Sequence, residues 1–535
     1  MSEYCNKRVF IIYILISLFF FAAAAPADEH SYENTARSVK CGTPDIVKLL
    51  QNSPTSAAKI AQRTAMDAVA VSSLKHFRVH YDTTGSHAVS MLDEDANNIP
   101  DYVDSTLVYL EYAWDLEINR LGYPEPVYGR NSVAGDATDV YLKDLNNNTY
   151  GQTTPESLIG NSATSFIEID NDFSEDYFYT KGYDALKVTT AHEFFHVIQF
   201  SLYYNLDLIW WMEQSAVWME ERAWSDVNDY LAYLYLFFNN NQTPLNSTTG
   251  TFIYGAAIWA QYLAIRFGDG IILDIWEQLL IEKSNDIASF DTVIPIGLDE
   301  AFGDFAAWNY FTHDRANNSD FYPDSDLFPV DIDVDLNVHK SPASDTLSTK
   351  SFTSRYVELL FAGEWDEKDT LSVKVSPLDG GRYKNSLIFF NTPYEYEIIN
   401  IDPAGSEIVI EKDWSKAVLI SSCVSNTYKT HSYAFDAHII EPGEITPQYA
   451  FSVAGTYPNP FNSLTTISFT LPSSGHVSIQ AYDILGRKAE DIFAGTLDAG
   501  EKEIIWIPHG LSGGVYFIKM NSQWGSKVLK TLFLK

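Results

Sequence analysis

Cysteine is almost absent from this sequence, with three in 535 residues. Cys5 falls in a leader segment, which leaves Cys41 and Cys423. In an oxidising compartment these two can pair across a very long loop, but two cysteines make no disulfide framework. Nor do they make a zinc site, so any metal is expected to rest on His, Asp and Glu. Positive charge is also scarce: 35 Lys and Arg stand against 71 Asp and Glu, a net charge of −36. A polyanion gains no counterion release from another polyanion, so nucleic acid and anionic membrane are not expected partners. The same imbalance suits an extracellular protein that binds cations.

Long apolar runs are missing beyond the N-terminus. There, Lys7 and Arg8 precede an apolar run from Val9 to Phe21 and the small-residue stretch "AAAAPA". This is the layout of an export signal, residues 1–27, with cleavage after Ala27 because Pro26 blocks the alternative after Ala25. The run is shorter than the roughly 18 to 20 residues a span needs, and no later segment qualifies. A mature chain without a transmembrane anchor, secreted or held at the cell surface, is the expectation.

A chain of 535 residues exceeds one core and divides by composition. Residues 28–330 are rich in aromatic and aliphatic stripes at helical spacing, as in "STLVYLEYAWDLEINRLGY", with strands expected over Asp139–Leu145 and Ser165–Phe173. Residues between Asp28 and about Leu74 leave room for a proregion. Residues 335–445 alternate in short runs such as "SRYVELLF" and "KAVLISS", the habit of a β-sandwich, and 452–535 repeat that habit. The expected fold is therefore multidomain: an α+β, zincin-like and mainly helical catalytic domain, followed by two all-β, immunoglobulin-like sandwiches.

The stretch "TTAHEFFHVIQF" places His192 and His196 one turn apart on one helix face, able to meet at a single point. In the H-E-x-x-H arrangement the histidines bind Zn²⁺ and the intervening carboxylate, here Glu193, takes a proton from water. Two partly buried histidines on an amphipathic helix would give the same spacing. The next helix, "IWWMEQSAVWMEERAW", tips the balance. It carries Glu213 in a setting too apolar to hold an unpaired carboxylate, which costs several kcal/mol unless an opposite charge compensates it. Glu213 is thus expected on the metal, and Glu220, two turns further along the stripe, behind a histidine ring.

"HEFFH" followed by "WMEQSAVWME" resembles the gluzincin peptidases, with Gln214 where those enzymes usually have Gly. It is similar also to secreted bacterial metallopeptidases that join such a catalytic domain to β-domains. The resemblance implies His192, His196 and Glu213 as zinc ligands and Glu193 as general base. The aminopeptidase members carry an amine-binding G-x-M-E-N segment that "SATSFIEIDNDF" lacks, so an endopeptidase is expected, with that strand as the edge on which an extended peptide pairs. Tyr254 in "TFIYGAAIW" is the candidate donor to a developing oxyanion, against a packed core tyrosine, with His313 as runner-up.

"DEDANNIPDYVD" sets Asp93, Asp95, Asn97, Asp101 and Asp104 at the side-chain ligand positions of an EF-hand-like loop, with the Ile99 carbonyl between them; a structural Ca²⁺ is expected there, against a solvated acidic turn. The segment resembles the D-x-D-x-N-G-I-P-D-Y loops of secreted bacterial proteins. Near the C-terminus "YPNPFN", "YDILGRK", "DAGEKEIIW" and "GGVYFIKM" resemble the sorting domain of the type IX secretion system, over Ala454–Lys535. That resemblance implies the secretion machinery as a partner and passage across the outer membrane. The functional expectation is a secreted zinc-dependent peptidase acting on a protein or peptide substrate. Two alternatives stay open: a surface binding or adhesion protein with a structural metal site, and a hydrolase of non-peptide amides or esters.

Overall fold

Helix formation at the centre of the first unit follows from a segment that is apolar on every side. The computed structural model describes residues 39–52, 63–128, 137–145, 148–361, 370–392, 395–401, 406–409, 416–440, 451–472, 475–497 and 500–535. The expected signal peptide and Cys5 lie outside them. The first unit begins β1 (Val39–Cys41), α1 (Thr43–Asn52), β2 (Ala68–Val71), β3 (Phe77–Tyr81) and α2 (Asp101–Trp114), which a π-helical stretch Asp115–Arg120 prolongs. It continues β4 (Thr138–Leu142), β5 (Thr149–Ile159), β6 (Ser162–Ile169), α3 (Gly182–Leu202) and α4 (Ile209–Ala223). Helices α5 (Leu231–Phe238), α6 (Phe252–Gly255), α7 (Ile258–Phe267), α8 (Gly270–Glu282) and α9 (Leu298–Tyr310) complete it. From Ala185 to Ser201 every residue of α3 except Lys187 is buried. A helix without a polar face has to lie inside, and α3 packs on β5 and β6 on one side and on α2 and α4 on others.

The six strands make one mixed sheet in the order β1-β5-β6-β4-β3-β2. β1 and β5 are parallel, β5 and β6 antiparallel, and β4 is parallel to both β6 and β3. Two expectations are corrected here. Among the described residues the protein is β-rich, 35% strand against 30% helix over five sheets, which conflicts with a mainly helical catalytic domain; the helices of the first unit are laid on a six-stranded sheet. The strand of "SATSFIEIDNDF", β6, is not an edge: it lies between β5 and β4. The edge beside α3 is β5, and β1 covers it.

The second unit contains β7 (Leu336–Val338), β8 (Ala343–Lys350), β9 (Thr353–Leu359), β10 (Thr370–Pro377), β11 (Tyr383–Thr392), β12 (Glu395–Ile401), β13 (Ser406–Val409), β14 (Lys416–Cys423) and β15 (Thr430–Ile440). Its sheets run β13-β10-β15-β8 and β12-β11-β14-β9-β7, and Val357, Leu371, Leu387, Leu419 and Phe435 meet in one core. The side-chain alternation of strands sends Tyr356, Ile388, Phe390 and Ile420 to the other face, where they join the core of the first unit against α9. The third unit, β16 (Ser452–Tyr457), β17 (Thr465–Leu471), β18 (Gly475–Tyr482), β19 (Lys488–Leu497), β20 (Gly500–Trp506), β21 (Gly514–Ser522) and β22 (Gly525–Phe533), has a separate core around Phe461, Ile467, Trp506 and Phe533. Among the described residues no helix is long and apolar enough to cross a membrane.

Candidate metal centre

Helical spacing brings the His192 and His196 rings to 4.7 Å between centroids, nearly perpendicular to one another. Helix α4 crosses α3 at small buried residues, Ser215 and Ala216, which lets Glu213 reach both rings. Its Oε2 lies 3.3 Å from His192 Nε2 and its Oε1 3.1 Å from His196 Nε2. These distances suit charge attraction, but both Glu213 oxygens and His192 Nε2 are buried without a hydrogen bond. They converge on a common point and not on each other.

A fourth donor joins them from outside the two helices. Cys41, delivered by β1, has its Sγ 3.4 Å from His196 Nε2. Donor atoms of Cys41, His192, His196 and Glu213, all buried, lie within 4.8 Å of one another. Cys41 and Cys423 are both free thiols, so no disulfide joins them. No local spacing marked Cys41 as a ligand. Its one mark in the sequence is that of an isolated cysteine upstream of the H-E-x-x-H stretch, in the span with room for a proregion.

The outer faces of both rings are tied. His192 Nδ1 donates to Glu220 Oε1 at 2.6 Å, and His196 Nδ1 donates to Gln199 Oε1 at 2.7 Å. Gln199 is itself fixed, its amide donating to the Met212 carbonyl at 3.0 Å and to Ser215 Oγ at 3.1 Å. In the neutral ring with Nδ1 protonated, Nε2 turns a lone pair inward, as metal-ligating histidines require. Lys40 Nζ lies 2.7 Å from Glu220 Oε2 and also pairs with Asp229. Gln199, Lys40 and Asp229 had no sequence signal as members of the site.

Glu193 is buried beside this set. Thr153 Oγ1 on β5 donates to its Oε2 at 2.7 Å, while Oε1 is buried and without a hydrogen bond. Gly151 makes the close approach possible, because a Cβ there would meet Glu193 Cγ at 2.8 Å and Thr189 Cγ2 at 2.7 Å. Tyr254 on α6 lies at the same place: its hydroxyl donates to the Cys41 carbonyl at 3.0 Å and accepts from the Cys41 N–H at 3.2 Å. His313 is elsewhere, grouped with Asp314 and Asp331. Gln214, at the departure from the gluzincin pattern, points away to donate to the Leu245 carbonyl at 2.8 Å.

Charge within this interior is unbalanced. Burial disfavours the charged His192 ring, yet Glu213 and Glu220 outweigh it and push its pKa up to about 10. Burial also works against the Glu213 carboxylate, but the two histidines hold it down at about 2. Burial raises Glu193 above the usual carboxylate range. Four buried carboxylates, Glu193, Glu213, Glu220 and Asp229, face the Lys40 ammonium and the His192 ring, and a divalent cation held between the imidazoles would take over the compensation that a protonated His192 otherwise gives. Two imidazoles, a carboxylate and a thiol fit zinc, with tied second nitrogens and inward lone pairs.

In the acidic loop, carboxylate oxygens of Asp93, Asp95 and Asp101 lie within 4.8 Å of one another. Asn97 Nδ2 donates to Asp104 Oδ2 at 2.7 Å, and the Ile99 N–H donates to Asn97 Oδ1 at 2.7 Å. Asn98 takes the left-handed conformation that a turn glycine would.

Residues 455–535 match the family model of the secretion system C-terminal sorting domain. The chain is therefore exported by type IX secretion, to the cell surface or beyond it. No curated protein matches the chain. Similar solved structures include PorZ of Porphyromonas gingivalis, titled an essential surface component of its type IX secretion system, at 16% identity over 22% of this chain and 15% of that one, with a TM-score of 0.12. They also include dimeric latent PorU of the same organism, at 13% identity over 38% of this chain and 19% of that one, TM-score 0.15. A β-1,2-glucanase from Parabacteroides distasonis is 12% identical over 36% of this chain and 32% of that one, TM-score 0.15. This chain thus matches a third or less of each.

Proposed function

We propose that the chain is an exported zinc-dependent endopeptidase, with His192, His196 and Glu213 holding the metal and Glu193 as general base. The observation that carries this reading is the buried convergence of the three donor side chains beside a carboxylate with one oxygen tied and the other open. A zinc ion held there supplies Lewis acidity for attack on a carbonyl. Thr153 fixes the Glu193 carboxylate, leaving Oε1 to accept the proton of the attacking water and pass it to the departing amine. Burial, which raises the affinity of Glu193 for that proton, suits the role. With β1 displaced, Tyr254 would donate from its hydroxyl to the carbonyl oxygen of the scissile bond in place of the Cys41 carbonyl, and β5 would offer the edge on which an extended peptide pairs.

Glu193→Gln tests the assignment. Peptide hydrolysis should fall by at least about 100-fold, the scale of a lost general base, with zinc content and melting temperature retained. Hydrolysis that survives the substitution would remove Glu193 from the mechanism. A second reading, a surface binding protein with a structural metal site, is favoured by one observation: Cys41 brings the donor count to four, the number of a closed zinc site. We also propose that the loop from Asp93 to Asp104 binds Ca²⁺ for stability. Added calcium should raise the melting temperature of the full chain, and Asp93→Asn with Asp95→Asn should abolish the rise.

A further inference from the structure

The segment that delivers Cys41 lies where a peptide substrate would. β1 pairs with β5 in parallel, Val39 opposite Thr149 and Cys41 opposite Gly151, and the Gly42 N–H donates to the Gly151 carbonyl at 2.9 Å. Without β1, β5 would present an open edge beside the metal ligands. The Cys41 carbonyl accepts the Tyr254 hydroxyl hydrogen bond that the proposed mechanism assigns to a scissile carbonyl. The residue after Cys41 is tightly placed, since a Cβ on Gly42 would come within 3.0 Å of Gln152 Cβ and 3.3 Å of Thr149 Cγ2.

The neighbouring side chain fills a second position. Lys40 is buried, its ammonium between Glu220 and Asp229 and 5.6 and 5.2 Å from the ring centres of Tyr150 and Tyr233. Asp229 is held in place by Thr180. This is a walled acidic pocket that a basic side chain completes, next to the proposed site of bond cleavage. Behind the strand, α1 packs on the body of the protein through Val47 and bonds to Asp207 through Gln51 at 3.0 Å. A cavity of about 330 Å³ remains, lined by Val47 and Gln51 of α1 and by Ile209, Gly250, Ile253 and Tyr254.

We infer that Lys40 and Cys41 form an internal plug that keeps the metal centre closed, the thiol in the fourth coordination position and the ammonium in the Glu220–Asp229 pocket, and that the vacated pocket selects a basic side chain in the substrate. The inference rests on the metal-dependent peptidase reading and adds its regulation and specificity. A permanently four-coordinate structural site has no use for a general base, whereas Glu193 keeps Oε1 open in the interior. A short edge strand is also a removable element, because three residues of pairing hold little free energy without the side chains that anchor them.

The test uses the full chain loaded with cobalt(II) in place of zinc. A thiolate-to-cobalt charge-transfer absorption should appear in the near ultraviolet and vanish in both Cys41→Ala and Cys41→Ser, with metal content still near one per chain. Peptide-library hydrolysis by the zinc forms of both variants should rise at least about tenfold over the parent, equivalent to about 1.4 kcal/mol of closure. Cleavage should cluster beside Lys and Arg, a preference that Asp229→Asn weakens through KM more than through kcat.

Absence of the charge-transfer band in the parent, or loss of metal from both variants, would overturn the plug. A parent already as active as the variants would overturn it too, while leaving the peptidase reading intact. If the band behaves as expected and the variants' cobalt spectra respond to added azide, yet no peptide is cut, the plug stands and the peptidase reading falls. Cleavage indifferent to basic residues would overturn the pocket assignment.

Discussion

Gln199 ties three parts of the centre with one side chain: its carbonyl oxygen takes the His196 Nδ1 proton, and its amide reaches the Met212 carbonyl and Ser215 on α4. Its loss should leave His196 free to rotate and loosen α3 from α4 at the point where Glu213 arrives. Gln199→Ala is expected to weaken zinc binding by about 10- to 100-fold, the usual cost of an outer hydrogen-bond partner. Competition with a chromophoric chelator measures this, and an unchanged affinity would assign Gln199 to packing alone. The motif residues were legible in the sequence because helix geometry alone sets His192, Glu193 and His196 on one turn. Glu213 was legible because a carboxylate in an apolar helix demands a partner. Cys41, Thr153 and Gln199 were not. Cys41 reaches His196 across 155 positions and Thr153 reaches Glu193 across 40, through sheet pairing that leaves no local spacing. Cys41 stands among the donor side chains although the expectation rested the metal on His, Asp and Glu, because a residue brought from so far along the chain leaves no spacing to read.

Sheet and helix differed in how openly they were written. Helices α3 and α4 announce themselves through long apolar stripes, and β4 and β6 through runs of branched and aromatic residues. β5, "TYGQTTPESLI", contains Gly, Pro and little apolar alternation, so it reads as a loop. It is a strand because its partners on both sides supply the hydrogen bonds, and its Gly and Thr residues admit Glu193 at close range. The end of α2 poses another element-scale problem. Glu117, in the π-helical stretch, has both carboxylate oxygens buried without a hydrogen bond, and burial pushes its pKa well above the usual range. Folded Glu117 therefore keeps its proton while the unfolded chain releases it above about pH 4.3. The sign follows: its contribution to stability is full below that pH and is lost as pH rises toward the folded pKa, by at most about 1.4 kcal/mol per pH unit. Glu117→Gln should flatten this decline. Denaturant titrations at pH 5 and pH 8 should show the variant gaining on the parent at the higher pH; equal gaps at both would mean Glu117 is ionised in the fold.

At the scale of the molecule, the first two units share one core and the third has a core of its own. Phe390 on β11 packs 5.8 Å from the rings of both Tyr310 and Phe311 at the end of α9. Around this contact Tyr310 bonds to Glu358, Lys416 Nζ donates to the Tyr310 hydroxyl at 2.7 Å, and the Arg315 guanidinium lies 4.2 Å over the Tyr310 ring. Aromatic contact rimmed by charge-assisted bonds is the construction of a permanent interface, and it makes the β-sandwich a buttress for the helices behind the candidate metal centre. The sorting domain has its own core around Phe461 and Trp506, as suits an address read by the export machinery. Calorimetry of the full chain should therefore give two transitions, one for the metal unit with the sandwich and one for the sorting domain. Phe390→Ala, which empties an aromatic site in the shared core, should lower the first by about 3 to 5 kcal/mol of stability and leave the second unmoved. The shift should carry the metal unit with it, so zinc release on heating moves down by the same interval as sandwich unfolding. Zinc release that keeps its original temperature while the sandwich melts earlier would show that the two units fold separately and that the shared core couples nothing.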